Sequence, residues 1–307
     1  MNDLELYRHA LDAAVRGECT VLVVVVDAEG SVPGTPGATM VVGPDGAVGT
    51  IGGGVAEARM IERAQTAPPD RPALVEFRHV EESLCSGTQI LALASLGPTE
   101  VPALETIVER LAAGRTMVLE LSPAGLASGD ETHAEPGLQR SPEGWRYQAV
   151  LGLREVLTLI GGGHVSLALS RVIATLPFRI VVLDDRAELP TLEANRWAHE
   201  RRVIAYDRVA DHVPEGEHSW AVIMTQGHRG DRVVLERLAP RTLRYLGLLG
   251  SRAKVAALMS DLSASGISRD RLDRVHAPVG VAIGSHTPAE IAIAIAAELI
   301  RERNLGG

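Results

Sequence analysis

The apolar run Val156-Leu157-Thr158-Leu159-Ile160 passes directly into Gly161-Gly162-Gly163-His164-Val165, and this junction restricts the chain more than any other stretch. The run reads as a buried strand, and the glycines allow a sharp turn into a helix. Strand, glycine turn and helix in that order present unpaired N–H groups and the positive helix end to an anion, usually a phosphate. A second apolar strand, Ile180-Val181-Val182-Leu183, ends in Asp184-Asp185. That is about twenty residues on, where a Rossmann unit places the carboxylate that accepts a ribose hydroxyl. Ser166 stands at the third fingerprint position, where Gly or Ala is usual. The junction points to a nucleotide or other phosphorylated ligand without naming a reaction.

Elements on either side of the junction differ in kind. From Leu153 onward strands and helices alternate, which predicts a doubly wound parallel sheet with helices on both faces. Helices are expected over His164 to Leu176, Leu192 to Arg201, Asp231 to Leu238 and Arg252 to Leu262, with strands at Val203-Ala205, Ala221-Thr225 and Tyr245-Leu249. Thr287-Pro288-Ala289-Glu290 forms a capping box before the aliphatic stretch Ile291 to Ala297. That final helix suits either a homodimer contact or burial within one protomer.

Before Gly152, a helix over residues 4 to 16, a strand over Val21 to Val26, a short strand over Thr39 to Val42 and a helix over Val55 to Gln65 are expected. Short strands follow at Met117-Leu121 and Trp145-Val150, separated by a polar, Pro- and Gly-rich passage from Ser122 to Gly144 that reads as a linker. The chain is therefore read as α/β overall, with an N-terminal α+β domain over residues 1–152 and a Rossmann-like domain over 153–307.

Charge and composition remove several function classes. With 30 Lys+Arg against 39 Asp+Glu the formal charge is −9, so neither nucleic acid nor an anionic membrane is an expected partner. No apolar run reaches the ~20 residues that cross a bilayer. Met1-Asn2-Asp3-Leu4-Glu5 lacks a basic signal-peptide start, and a cytoplasmic location is expected. Lys254 is the one lysine, and it neither follows a P-loop nor stands four residues after any tyrosine. Both P-loop phosphoryl transfer and short-chain dehydrogenase chemistry are disfavoured.

Other constellations are weaker on their own. Gly52-Gly53-Gly54 with Glu57 reads as a glycine turn in which the carboxylate complements the positive helix end, or as backbone N–H groups set against a polar ligand. Gly250-Ser251-Arg252 opens a helix whose first turn carries Arg252 and Lys254, either an anion site or a solvated pair of cations. His164 either meets a phosphate or caps backbone, and His276 in His276-Ala277-Pro278-Val279-Gly280 either faces the strand ends or caps its turn. Asp231 is expected as a helix N-cap. Cys19 is assigned to packing, and Cys85, among small residues, reads as an inert thiol or a reachable sulfur. No histidine pair has zinc-ligand spacing.

Taken together these pieces resemble the XdhC/CoxI family of accessory proteins for molybdenum-containing xanthine dehydrogenases and related hydroxylases. The likeness rests on Gly30-Ser31-Val32-Pro33, Pro36-Gly37-Ala38-Thr39-Met40 and Gly49-Thr50-Ile51-Gly52-Gly53-Gly54 with Glu57. It continues through Gly161-Gly162-Gly163-His164-Val165, Asp184-Asp185-Arg186, Tyr245 to Arg252, His276 to Gly280 and Thr287 to Ala292. The resemblance implies a non-catalytic chaperone that binds molybdenum cofactor (molybdopterin) as cargo, shields it, assists its sulfuration by a cysteine desulfurase and delivers it to the apoenzyme. It also implies that both glycine loops hold the ligand and that Cys85 is a molybdenum-site or sulfur-handling thiol. Two positions depart from the family pattern, Ser86 where glycine is common and Gln226 where histidine is common. The alternatives are an NAD(P)-dependent oxidoreductase, for which no acid/base pair accompanies the fingerprint, and a nucleotide-sensing regulator.

Overall fold

The computed structural model describes residues 2–79, 87–130 and 135–305. The chain divides into two compact units, Met1–Gly152 and Leu153–Gly307.

The first unit holds α1 (Asp3–Val15), β1 (Thr20–Gly30), β2 (Thr39–Gly43), β3 (Gly46–Gly49), α2 (Gly54–Thr66), β4 (Ala73–His79), β5 (Gly87–Leu96) and α3 (Val101–Ala112). It closes with β6 (Met117–Ser122), β7 (Gly125–Gly129), β8 (Gly137–Ser141) and β9 (Gly144–Leu151). An antiparallel sheet of order β3-β2-β1-β5-β4 carries the core. Val21 to Val26 are buried without alternation because both faces of β1 are covered. Val21, Val23 and Val25 pack with Ala56, Met60 and Ala64 of α2, while Leu22, Val24 and Val26 pack with α1, α3 and the second sheet.

That second sheet has the order β7-β6-β9-β8 and corrects the reading of Ser122 to Gly144 as a linker. The passage contains β7 and β8, the two edge strands, which carry no fully buried residue and so show no hydrophobic pattern. Cys19 is exposed rather than packed.

The second unit holds β10 (Glu155–Ile160), α4 (His164–Ile173), β11 (Phe178–Asp184), α5 (Pro190–Glu193), β12 (Glu200–Val203) and β13 (Gly216–Ile223). It ends with α6 (His228–Leu238), β14 (Leu243–Leu248), α7 (Arg252–Ala264), α8 (Arg269–Leu272) and α9 (Pro288–Leu305). Its five strands are parallel, in the order β12-β11-β10-β13-β14. One face is covered by α6 and α7, the other by α4 and α9. The Thr287–Glu290 capping box forms: Glu290 N donates to Thr287 Oγ1 at 3.3 Å, and Thr287 N donates to Glu290 Oε2 at 3.0 Å. The aliphatic side of α9 is buried within this unit, where Ala292, Ile295, Ala296 and Leu299 join the core shared with α4.

Two expected elements change. In place of a helix over Leu192 to Arg201 the chain forms the single turn α5 and then β12, which ends at Val203, so the strand expected over Val203–Ala205 lies three residues earlier. Helical propensity loses to side-chain anchoring here. Buried Asn195 donates to Ser170 Oγ at 2.8 Å, and His199 Nδ1 accepts from Ile180 N at 3.0 Å, drawing the segment onto the edge of β11. The second change is at α6, which starts at His228 with Gly227 as N-cap, so Asp231 lies inside the helix and not at its cap.

Candidate phosphate crevice and glycine loops

The chain runs outward from β10 through β11 to β12, then returns to β13 on the other side of β10. The carboxyl ends of β10 and β13 therefore flank a topological switch point, the usual ligand position in an open α/β sheet.

The three glycines after β10 differ in what surrounds them. Gly161 has φ +111°, and a Cβ on it would collide with the carbonyl of Met224 at the end of β13. A Cβ on Gly162 would crowd Leu189 and Leu192 at 3.1 to 3.3 Å. Gly163, the N-cap of α4, has an ordinary φ of −72°, no side-chain cap, and nothing within 4 Å of where a Cβ would sit. Nothing in the described fold demands glycine at 163, and Ser, Thr, Asp or Asn would cap the helix better. Its absence of side chain keeps the first-turn amides of α4 open to an approaching group.

Asp184, the expected ribose acceptor, is bound up in the turn itself. Fully buried, it accepts from Gly162 N at 2.7 Å and from Arg186 through N, Nε and Nη2 at 2.8 to 2.9 Å. Burial pushes its carboxyl up, but the bonds from Arg186 and Gly162 outweigh this and hold it below the usual carboxylate range. Asp185 beside it is exposed. Arg186 also donates from Nη1 to Gln226 Oε1 at 3.0 Å, so one guanidinium links the end of β11 to the turn after β13. His164 opens α4 and is exposed.

A second ion pair lies behind the β13 turn. Asp231 Oδ1 accepts from Thr225 N at 3.1 Å and from Thr225 Oγ1 at 2.7 Å, and its Oδ2 pairs with Lys254. Lys254 is thus not a solvated surface cation. Ser251 caps α7 by accepting from Lys254 N at 3.2 Å, and Arg252 is exposed. Sequence reading missed the Asp231–Lys254 pair because its members lie on different helices with a strand between them.

His276 is engaged elsewhere. It lies alongside β14, two places from β10, stacked on Tyr245 with ring centroids 4.4 Å apart. Glu298 joins them, accepting from Tyr245 Oη at 2.6 Å and lying 3.4 Å from His276 Nδ1. Burial and the neighbouring Glu298 carboxylate push the Tyr245 hydroxyl far up, so it stays protonated and donating.

In the first unit the glycine loop before α2 is tied to the Gly30–Gly37 segment. A Cβ on Gly34 would strike the Ile51 carbonyl, and one on Gly52 would strike Pro33. Gln89, fully buried on β5, sits between them with Nε2 at 3.4 Å from the carbonyls of Gly34 and Ile51, and with Oε1 at 2.8 Å from His79 Nε2. Sequence reading passed over Gln89, whose signal is one amide directly before the apolar run Ile90 to Ala94. Gly53 and Gly54 have φ of +78° and +70°, so backbone conformation alone accounts for them.

Glu57 Oε2 accepts from Thr50 Oγ1 at 2.5 Å and from Ile51 N and Gly53 N at 3.1 Å, supplying the loop's anion from within the chain. Burial raises its carboxyl, but these bonds outweigh that and lower it on balance. A depressed carboxyl stabilises fully above its unfolded value, about 4.3, and the contribution is lost as pH falls through the folded value. Glu57→Gln is therefore expected to lose less stability than wild type between neutral pH and about pH 3.5. Paired urea titrations check this, and equal losses contradict the assignment.

Cys85 lies outside the described residues, between β4 and β5. Among the described residues no group of three or more His, Cys, Asp or Glu side chains is arranged to hold a metal ion. Nor is any helix among them long and apolar enough to cross a membrane.

The geometry defines a Rossmann-type domain preceded by an antiparallel α+β domain. Residues 157–299 match the XdhC Rossmann domain and residues 13–78 match the XdhC and CoxI family. The chain belongs to the XdhC family. It is 30% identical over 285 residues to uncharacterized protein YqeB of Escherichia coli (strain K12), an alignment covering 91% of this chain and 43% of that protein. It is 27% identical over 147 residues to a probable xanthine dehydrogenase subunit from Bacillus subtilis (strain 168), covering 48% and 42% respectively. The alignments thus span less than half the length of these two curated relatives. In fold it is like the crystal structure of a xanthine dehydrogenase from Bacillus halodurans, with a TM-score of 0.78 at 24% identity over 99% of this chain and 96% of that one.

Proposed function

We propose that this chain is an accessory factor for a xanthine dehydrogenase-type molybdenum hydroxylase, binding molybdenum cofactor as cargo with its phosphate at the start of α4. Family membership supports the accessory role. The ligand class rests on Gly163, a glycine the fold does not require, at a helix start whose amides it leaves open. Arg186 holds Asp184 and Gln226 and so keeps the turn rigid beside that opening. In this reading His164 and Arg252 are the exposed side chains available to a bound pterin phosphate, and exposed Asp185 is left to accept from a hydroxyl or amino group of the ligand. Gly52, Gly53 and Gly54 supply a second polar loop, which Glu57 already braces.

Cys85 is assigned the sulfur-handling role, in which the cargo receives its terminal sulfur from a cysteine desulfurase before delivery to the apoenzyme. NAD(P)-dependent hydride transfer is the less favoured reading, because the carboxylate at the ribose position is already saturated by Arg186 and Gly162.

The role is tested in cells lacking the gene. The partner hydroxylase should accumulate as inactive apoenzyme, recover with the wild-type chain, and stay inactive with Cys85→Ala although that chain still carries pterin. Full hydroxylase activity in the deleted strain overturns the accessory role.

A further inference from the structure

A second cavity lies in the same domain, at the amino end of β14, away from the glycine turn at the carboxyl ends. It has a volume of about 320 Å³, and among the residues that line it are Arg241, Arg244, Arg271 and Arg274, with Tyr245 and His276. The fold brings these together from three directions. Arg241 follows α6, Arg244 lies on β14, Arg271 lies in α8, and Arg274 belongs to the stretch that leaves α8 and runs beside the strand. That stretch is fixed in place, with His276 N donating to the Leu246 carbonyl and Leu248 N donating to the His276 carbonyl, both at 2.9 Å.

The cavity is rich in unpaired positive charge. Arg241 is paired with Glu215 at 2.9 Å, and its Nε is buried without a hydrogen-bond partner. Asp273, the acidic residue in the lining, lies 3.6 Å from Arg269. Arg244 donates to the main-chain carbonyl of Glu302 at 3.3 Å and rests over the Trp220 ring, 6.0 Å from its centroid. Among the described residues Arg244, Arg271 and Arg274 have no carboxylate partner. Three uncompensated guanidiniums thus converge on one hollow in a chain whose formal charge is −9.

Clustered like charges repel, and a bound anion removes that repulsion. Guanidinium forks match phosphoryl oxygens two at a time, which a compact ammonium does not. The volume falls at the lower end of small-ligand pockets, about 300 to 1,000 Å³, which suits a compact ligand.

We propose that this cavity is a second anion site, for a small molecule carrying two or more linked phosphoryl groups. Arg271 and Arg274 close on the ligand from solvent, and Arg244 receives it against the Tyr245–His276 wall. The site lies at the opposite end of the sheet from the crevice at α4.

The test is calorimetric titration of the full chain with inorganic pyrophosphate, in a Gly163→Asp background that closes the α4 opening. Saturable binding is expected there. Adding Arg271→Ala and Arg274→Ala should weaken it about tenfold or more, the loss of one charge-assisted contact being sufficient. Both substituted side chains are exposed, so the unfolding midpoint should not move. No saturable binding in the Gly163→Asp chain, or unchanged affinity without the two arginines, overturns the proposal. Citrate binding as tightly as pyrophosphate overturns the phosphoryl assignment.

Discussion

Replacing Gly163 with aspartate is expected to leave the fold intact and remove most of the affinity for a phosphorylated pterin. The φ of −72° suits any residue, and the Cβ enters open space. Aspartate is a better N-cap than glycine, so stability should stay equal or rise by a few tenths of a kcal/mol. Its carboxylate would accept the first-turn amides that the phosphate needs and would repel the phosphate itself. Helix-end charge effects reach about 2 kcal/mol in partly buried settings, which corresponds to roughly thirtyfold in affinity. Fluorescence titration with pterin, run beside thermal unfolding, separates this from misfolding. Equal affinity at an equal unfolding midpoint would remove α4 from the binding site.

The largest stability effect is expected from Asp231→Ala. Asp231 is fully buried, while the Lys254 side chain keeps 28% of its exposure. Removing the carboxylate leaves the Lys254 ammonium without its partner and strips an acceptor from both the hydroxyl and the amide of Thr225. Losing one member of a buried pair costs about 3 to 5 kcal/mol, and water reaching Lys254 places this case near 3. Adding Lys254→Met removes the stranded charge, so the double variant should recover part of the loss. Denaturant midpoints for both variants check the pair. A double variant less stable than Asp231→Ala would mean that Lys254 contributes through other contacts.

Local patterns in the sequence were informative where neighbouring residues act together. The Gly161 turn, the two strands that flank it and the Thr287–Glu290 cap are each encoded within a few positions, and each forms. Pairings across the fold were not legible. Asp184 sits at the fingerprint position for a ribose ligand, yet Arg186, two residues on, folds back and takes both its oxygens. Asp231 looks like a cap by position, but β14 and α7 bring Lys254 against it. His276 follows the strand bearing Tyr245 by many residues and is drawn to it by Glu298, which lies further on still, in α9. Over Leu192 to Arg201 the helical reading failed because anchoring by Asn195 and His199 outweighs propensities worth only tenths of a kcal/mol per residue.

The polar passage after β6 failed for a different reason. Its strands lie at sheet edges and bury little, so hydrophobic patterning carries no signal there.

A phosphorylated pterin at the start of α4 is the proposal most open to direct measurement. Acid oxidation of anaerobically purified protein, followed by pterin fluorescence, measures this directly. Near-stoichiometric pterin is expected with the wild-type chain and almost none with Gly163→Asp. Absence of pterin from wild type purified from cells that make molybdenum cofactor, or equal pterin in both chains, contradicts it.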